Sequence, residues 1–265
     1  IFFRSSIMPV TVAYWSIRGL GAPLRMMVMF AGQPLQAVNY DVTEKPEGGF
    51  DRDVWFNAKP PLKAGNPLMN LPYIIDGDVV VAQTNACFSY LGRKLGLWGS
   101  TEAEVVDCEQ LLCELMDLRN QMVGFAYSPA GPEAAAALLK RVSAEGGILQ
   151  KFELWLERAV TQRQASGVHL VGNKPTAPDF HLWEMLEQYT ACAAFYSLPS
   201  PIVAYPRLQA FYIGFAVLPQ NQKYFESSLS KLPFNNKMAG YGAVPGGQKW
   251  APGQEYGFDP NGGMF

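Results

Sequence analysis

Apolar and polar positions alternate over residues 10–14, Val-Thr-Val-Ala-Tyr, which predicts a half-buried strand, and Gly19 and Gly21 end it. From Pro23 the apolar residues Leu24, Met26, Met27, Val28, Met29 and Phe30 crowd successive turns, so a helix that starts near a proline follows. Residues 35–41 predict a second strand. Two further apolar runs, 71–75 and 79–82, flank Asp76-Gly77, a turn-forming pair, and predict a hairpin. Gln83-Thr84 then opens a helix that runs to about residue 95.

The order β-α-β, irregular loop, β-β-α is a thioredoxin-like layout, and it ends at a hinge around Leu97-Trp98-Gly99. Beyond the hinge the period changes to that of helices. Thr101-x-x-Glu104 has the spacing of a capping box, and Cys108, Leu111, Leu112, Leu115, Met122 and Phe125 keep helical spacing behind it. Residues 132–164 continue as helix, interrupted at Gly146-Gly147, and Thr176-Ala-Pro-Asp179 has the spacing of a second capping box, ahead of a buried helix over 180–189. We therefore expect an α/β domain over residues 8–97 and an all-α domain over 98–239. Residues 240–265 alternate glycine and proline with Tyr241, Trp250, Tyr256, Phe258 and Phe265, a composition that builds no core of its own. Ordering such a tail costs about 1–2 kcal/mol per residue in backbone entropy, so the expectation is that its aromatics dock on another surface.

Composition narrows the function classes. With 21 basic and 23 acidic side chains the net charge is -2, so no chain-wide field draws the protein to nucleic acid. No apolar run approaches the roughly 18 residues of a membrane span, so the protein is expected to be soluble, or peripheral through its partners, and its expected residence is cytoplasmic. Residues 1–7 are basic and apolar with no acid, and the alternative reading makes them the remnant of an organellar targeting peptide. The four cysteines lack paired or metal-ligand spacing, and His169 and His181 have no catalytic company, so no metal is expected.

The α/β half holds the candidate chemistry. Leu71-Pro72 at a strand start is a site for a cis bond that exposes backbone to a ligand strand. Gln83-Thr84 offers helix N–H groups to a carboxylate, and Arg52, Trp55 and Lys59 fall in the irregular loop, where they suit another. Tyr14 at the end of the first strand can donate its phenolic hydrogen to a thiolate and lower a thiol pKa from roughly 8.5 toward neutrality. Together these groups suit a γ-glutamyl thiol peptide. Taken singly, Tyr14 and Trp15 read as core aromatics, Arg52 and Lys59 as solvated charges, and Asp117 as an exposed helix acid; only their joint order says more.

That order, Tyr14-Trp15-Ser-Ile17-Arg18-Gly19-Leu20, Asp51-Arg52-x-x-Trp55-x-Asn57-x-Lys59, Asn70-Leu71-Pro72-Tyr73 and Gln83-Thr84-Asn85-Ala86, closely resembles the mu class of cytosolic glutathione transferases. Met116-Asp117, Tyr127-x-Pro129, Gly172-Asn173-Lys174-x-Thr176-x-x-Asp179-Phe180 and Lys237-Met238 extend the resemblance over about residues 8–238. The resemblance implies the glutathione transferase fold, with glutathione as co-substrate. Its thiolate, held by Tyr14, would attack a small hydrophobic electrophile, with Tyr127 assisting and Met116 and Phe234 walling that second pocket. It further implies Trp15, Arg52, Trp55 and Lys59 on the glycyl carboxylate, the Asn70-Leu71-Pro72 segment on the cysteinyl backbone, and Gln83, Thr84 and Asp117 from the partner copy on the γ-glutamyl end.

Three departures modify these expectations. Thr84 replaces a serine of the class and keeps its hydroxyl. The loop between Lys59 and Asn70 is longer than usual and contains Pro60, Pro61 and Pro67, which puts the glycyl-carboxylate geometry in question. Leu68 stands where the class places an aromatic key, so a weaker homodimer is expected. The rival function is a transferase-like structural subunit that docks into a larger assembly through its termini, residues 240–265 above all.

Overall fold

The computed structural model describes residues 8–163, 166–247, 249–255 and 263–265; the targeting-remnant reading of residues 1–7 and the tail aromatics Tyr256 and Phe258 lie outside them. Strand β1 (Val10–Trp15) runs parallel to β2 (Leu35–Tyr40), with α1 (Gly21–Phe30) as the crossover between them. Strand β1 is buried on both faces and not on one as the alternation predicts: Val10 and Val12 enter one apolar core, and Ala13, on the opposite face, lies in a second with Tyr40 and Tyr73. A two-stranded ribbon, β3 (Thr43–Glu44) with β4 (Phe50–Asp51), leads into α2 (Asp53–Leu62). The hairpin expected around Asp76-Gly77 is present as β5 (Tyr73–Asp76) and β6 (Val79–Ala82), with Gly77 at φ 58° in the turn, and α3 (Thr84–Lys94) follows it.

Helix α2 corrects the expectation of an irregular loop around Arg52, Trp55 and Lys59. The Asp51 carboxylate accepts the Asp53 N–H at 2.5 Å, and Asp53 itself sits in the first turn, where negative charge favours the helix N-terminus. Pro60 and Pro61 fall in the last turn and help end the helix. The lengthened connection that follows is braced by Asn66, which donates to Val80 O at 3.1 Å and accepts the Leu68 N–H at 2.9 Å.

The helical half comprises α4 (Glu102–Ala126), α5 (Pro132–Ser143), α6 (Ile148–Arg163), α7 (Ala177–Phe195), α8 (Pro206–Ala216) and α9 (Pro219–Glu226). Both capping motifs form. Thr101 Oγ1 accepts the Glu104 N–H while Glu104 takes the Thr101 N–H, and the N–H and hydroxyl of Thr176 both donate to the buried Asp179 carboxylate. Helices α1 and α3 share one continuous apolar core with α4 and α7, so the two halves are joined by burial as well as by chain. The result is a thioredoxin-like α/β layer followed by an all-helical one. No described helix is long and apolar enough to cross a membrane.

One member of that shared core is charged with consequence. His181 on α7 is fully buried, stacked on Phe88 of α3 at 4.9 Å, and neither ring nitrogen has a hydrogen-bond partner. Burial, aided by the charge of Arg119, pushes its pKa down to about 3. The folded pKa lies below the unfolded one, so the neutral ring's contribution is complete above pH 6.5 and is lost as pH falls toward 3. Stability should therefore drop by about 1.4 kcal/mol per pH unit below that point from this group. His181→Phe should flatten the dependence, measured as urea midpoints at pH 7 and pH 5; an equal loss in both proteins would exclude His181 as its source.

The tail corrects a second expectation. It docks on its own chain: Tyr241 is fully buried beside Phe125, Phe195 and Tyr196, and Trp250 packs with Ala239, Ala243, Val244 and Phe50. The indole N–H of Trp250 donates to Glu44 at 3.0 Å, and the Lys237 ammonium, itself 2.9 Å from Asp41, lies 4.5 Å from its ring centroid. Further on, β7 (Gly263–Met264) pairs antiparallel with β2, giving the sheet order β6-β5-β1-β2-β7. Aromatic anchoring was the right mechanism; the surface it uses belongs to the same molecule.

Candidate functional site

Tyr14, one residue before the end of β1, is 5% exposed, in a small cluster with Ile17 and Leu20 against which Trp15, Leu71 and Met116 pack. Its surroundings are made to fit. A Cβ on Gly19, where φ is 37°, would come within 2.8 Å of the Tyr14 ring, and one on Gly21 would meet both Tyr14 and Arg25. The buried Arg25 guanidinium rivets the loop after Tyr14 by donating to Trp15 O, Ile17 O and Asn39 Oδ1. Burial lowers its pKa to about 10, which leaves it charged at neutral pH.

The next residue group ties this loop to the helical half. Arg18 donates through Nε and Nη2 to Glu184 Oε2, at 3.2 and 2.8 Å, while Gln188 donates to Glu184 Oε1 at 2.9 Å. Burial is the largest influence on Arg18 and opposes its charge, but Glu184, Tyr224 and Glu187 together outweigh it and the pKa rises. On the chain's far end, Pro233 O accepts the Arg18 N–H and Phe234 O the Gly19 N–H. The segment after α9 is thereby stitched onto the loop that follows Tyr14.

Between these elements lies a cavity of about 330 Å³. Tyr14, Trp15, Ile17, Gly19 and Arg52 line it from the α/β side, and Arg119, Val123, Tyr127, Met185 and Gln188 from α4 and α7. Asn235, Asn236 and Met238 close it. Tyr127 is 41% exposed as a residue, yet burial of its hydroxyl end raises its pKa, opposed by its contact with Asn236. Its oxygen accepts the Asn236 N–H at 2.9 Å, so its own hydrogen remains for another acceptor.

The other sequence-predicted residues surround this cavity unequally. Leu71 and Pro72 are joined by a cis peptide bond, and Leu71 packs into the Tyr14 cluster. Gln83 precedes α3 at φ 74°, a left-handed conformation unusual for glutamine, and gives the helix no side-chain cap, so the first-turn N–H groups from Thr84 on have no intrahelical acceptor. Trp55 is 2% exposed, packed with Tyr40 and Tyr73, and supports Lys59, whose ammonium lies 5.6 Å from its ring centroid and 3.4 Å from Asn70 Oδ1. Asp117 is exposed on α4, outside the cavity. Phe234 is buried against the Arg18 guanidinium, Met116 is partly buried against the Tyr14 cluster, and neither lines the cavity.

Several lining residues escaped the sequence reading. Arg119 and Val123 carried a signal: with Met116 and Tyr127 they form the series 116, 119, 123, 127 along one face of α4. Nothing local marks Asn235 and Asn236, which arrive through the stitching of Pro233 and Phe234.

Comparison with known proteins agrees with this geometry. Residues 10–93 match the family model described as glutathione S-transferase, N-terminal domain, and residues 116–228 the one described as glutathione S-transferase, C-terminal domain. Glutathione S-transferase Mu 1 of Oryctolagus cuniculus is 33% identical over 221 residues, covering 83% of this chain and 92% of its own length. The chain belongs to the mu class of glutathione S-transferases. Glutathione S-transferase B of Cavia porcellus is 32% identical to this transferase over 237 residues, 86% of the chain and 100% of the relative. Among solved structures, the crystal structure of the glutathione S-transferase Blo t 8 superposes with a TM-score of 0.71 at 22% identity, covering 88% of the transferase and 99% of that chain, a likeness of fold. Among the described residues of the transferase, no group of three or more His, Cys, Asp or Glu side chains is placed to hold a metal.

Proposed function

We propose that this transferase conjugates the glutathione thiolate to carbon electrophiles, with Tyr14 as the thiolate's hydrogen-bond donor. The observation that carries the reading is the shared cavity: the Tyr14 phenol from the α/β half and the Tyr127 phenol from the helical half open into one space. Glutathione would lie along the α/β side, its glycyl carboxylate at Trp15, Arg52 and Lys59, with Trp55 as the platform beneath Lys59. Its cysteinyl backbone would pair with Leu71 beside Asn70 and Pro72, and its γ-glutamyl carboxylate would meet Gln83, Thr84 and the first-turn N–H groups of α3. Tyr127 would donate its free hydrogen to the electrophile. Met116 supports the reacting end by packing on Tyr14, and Phe234 does so by backing Arg18.

The γ-glutamyl end gains Asp117 only in a homodimer, as the partner's Asp117, and we assign the exposed α4 face to that contact; Leu68, at 67% exposure, would be its apolar contribution near α2. Domain limits at residues 97 and 239 follow the change from sheet to helix and the start of the docked tail. Cytoplasmic residence suits four free cysteines. The structural-subunit alternative loses its motive, because Tyr241 and Trp250 spend their apolar surface on this chain.

The test is direct. The purified protein should bind glutathione in calorimetry and accelerate its reaction with 1-chloro-2,4-dinitrobenzene in a saturable manner. Absence of both effects would reject the reading.

A further inference from the structure

The ribbon of β3 and β4 is too short to hold itself in place. Its strands are two residues each, it joins no other sheet, and residues 45–49 at its tip are exposed. Its anchors come from the tail. Phe50 packs on Ala239, Ala243, Val244 and Trp250. Glu44 accepts the Trp250 indole N–H through Oε1 at 3.0 Å and the Gly253 N–H through Oε2 at 2.9 Å, and Asp41, just before the ribbon, accepts from Lys237 at 2.9 Å.

At its other end the tail is rooted in the helical half. The Gly240 N–H donates to Ala126 O at the end of α4, at 2.7 Å, and Tyr241 fills the core beside Phe125 and Tyr196. Asn235, which lines the cavity, donates its backbone N–H to Gly242 O and its Nδ2 to Tyr241 O, at 2.8 and 3.1 Å. The tail thus ties one wall of the cavity to the ribbon that leads into the other. Arg52 follows directly on β4 and lines that other wall. Its exposed side chain rests on the Phe56 ring at 5.5 Å, so its aim into the cavity follows from the backbone that the ribbon delivers.

We infer that Trp250 is a positioning residue for glutathione: by clamping the β3–β4 ribbon to the helical half, it holds Arg52 where the glycyl carboxylate arrives. The inference rests on the proposed placement of glutathione. Neither Trp250 nor Glu44 lines the cavity, and Trp250 lies beyond residue 228, where the match to the C-terminal family model ends, so the clamp is added to the matched domains. An arginine on a loose ribbon must be ordered at each binding event, whereas a clamped one is ordered on folding. The effect therefore falls on glutathione affinity and spares the reacting end, because Tyr14 lies on β1 and Tyr127 at the end of α4.

The experiment is steady-state conjugation of 1-chloro-2,4-dinitrobenzene by the full chain, with each substrate varied in turn. Trp250→Ala should raise the glutathione KM about fivefold, with kcat and the KM of the electrophile within about twofold of the parent. Exposed Glu44 gives the same readout without disturbing a core: Glu44→Ala should raise the glutathione KM as well, and Glu44→Gln, which keeps an acceptor for Trp250, should restore most of it. In an Arg52→Gln background, Trp250→Ala or Glu44→Ala should add less than about twofold, because the clamp acts through Arg52. A glutathione KM unmoved by Trp250→Ala and Glu44→Ala, a loss confined to kcat, or a full effect that survives Arg52→Gln overturns this inference alone. Arg52→Gln with parental glutathione KM overturns the placement of glutathione and this inference with it.

Discussion

Tyr14→Phe should lower kcat/KM for glutathione conjugation by about a hundredfold, in line with the loss of one donor aimed at developing or resident negative charge. The substitution removes only the hydroxyl. The ring keeps its packing against Ile17, Leu20, Leu71 and Met116, and Gly19 still leaves it room. A donor to the thiolate favours the charged form, so its removal must raise the pKa of the bound thiol, toward its free value of about 8.5. The pH–rate profile should therefore shift to higher pH in the variant, and thiolate absorbance of the glutathione complex should shift with it. A lower rate with an unmoved profile would mean that Tyr14 shapes the cavity and does not hold the thiolate.

Glu184→Leu should be the most destabilising single change in the site region, at about 3–5 kcal/mol. Glu184 is fully buried, and its loss strands Arg18 with only the more distant Glu187, at 3.8 Å from Nη1. It also releases the amide of Gln188, a residue that lines the cavity. The double variant Arg18→Met with Glu184→Leu should recover most of the loss, because no buried charge is then left alone. Urea unfolding of the two single variants and the double gives the coupling; additive losses would show that the pair contributes nothing jointly. Activity adds a second readout, since Arg18 lies four residues from Tyr14 and receives its backbone contact from Pro233.

The sequence made the framework legible where the signal was local. Alternation located β1, Asp76-Gly77 located the hairpin, and Thr101 with Glu104 and Thr176 with Asp179 located two helix starts through hydrogen bonds three residues long. Helix α2 was missed because the feature that starts it, Asp51 on the Asp53 N–H, is a single contact with no periodic trace. In the candidate site, Tyr14, Trp15, Arg52 and Tyr127 were recognised by linear motifs and the structure brings them to one cavity. Gln188, Asn235 and Asn236 reach it only through long-range contacts, Gln188 through Glu184 and Arg18, the asparagines through the stitched segment. No window of sequence holds both ends of such a contact. For the same reason Trp250 could be identified as an anchor while its acceptor, Glu44, stood over two hundred residues away.

The return of β7 to β2 has a consequence for how the sheet meets its neighbours. Leu35 and Phe265 exchange both backbone hydrogen bonds, at 3.0 and 2.8 Å, so the donors and acceptors that β2 would offer along one margin are partly taken. A half-zipped margin is a poor template for a foreign strand. The opposite margin, β6, begins at the exposed Val79 and has no further strand beside it among the described residues. Cross-strand self-association of this protein, in concentrated solution or during folding, is thereby biased toward the β6 side, and growth on the β2 side is hindered by the chain's own last described residues.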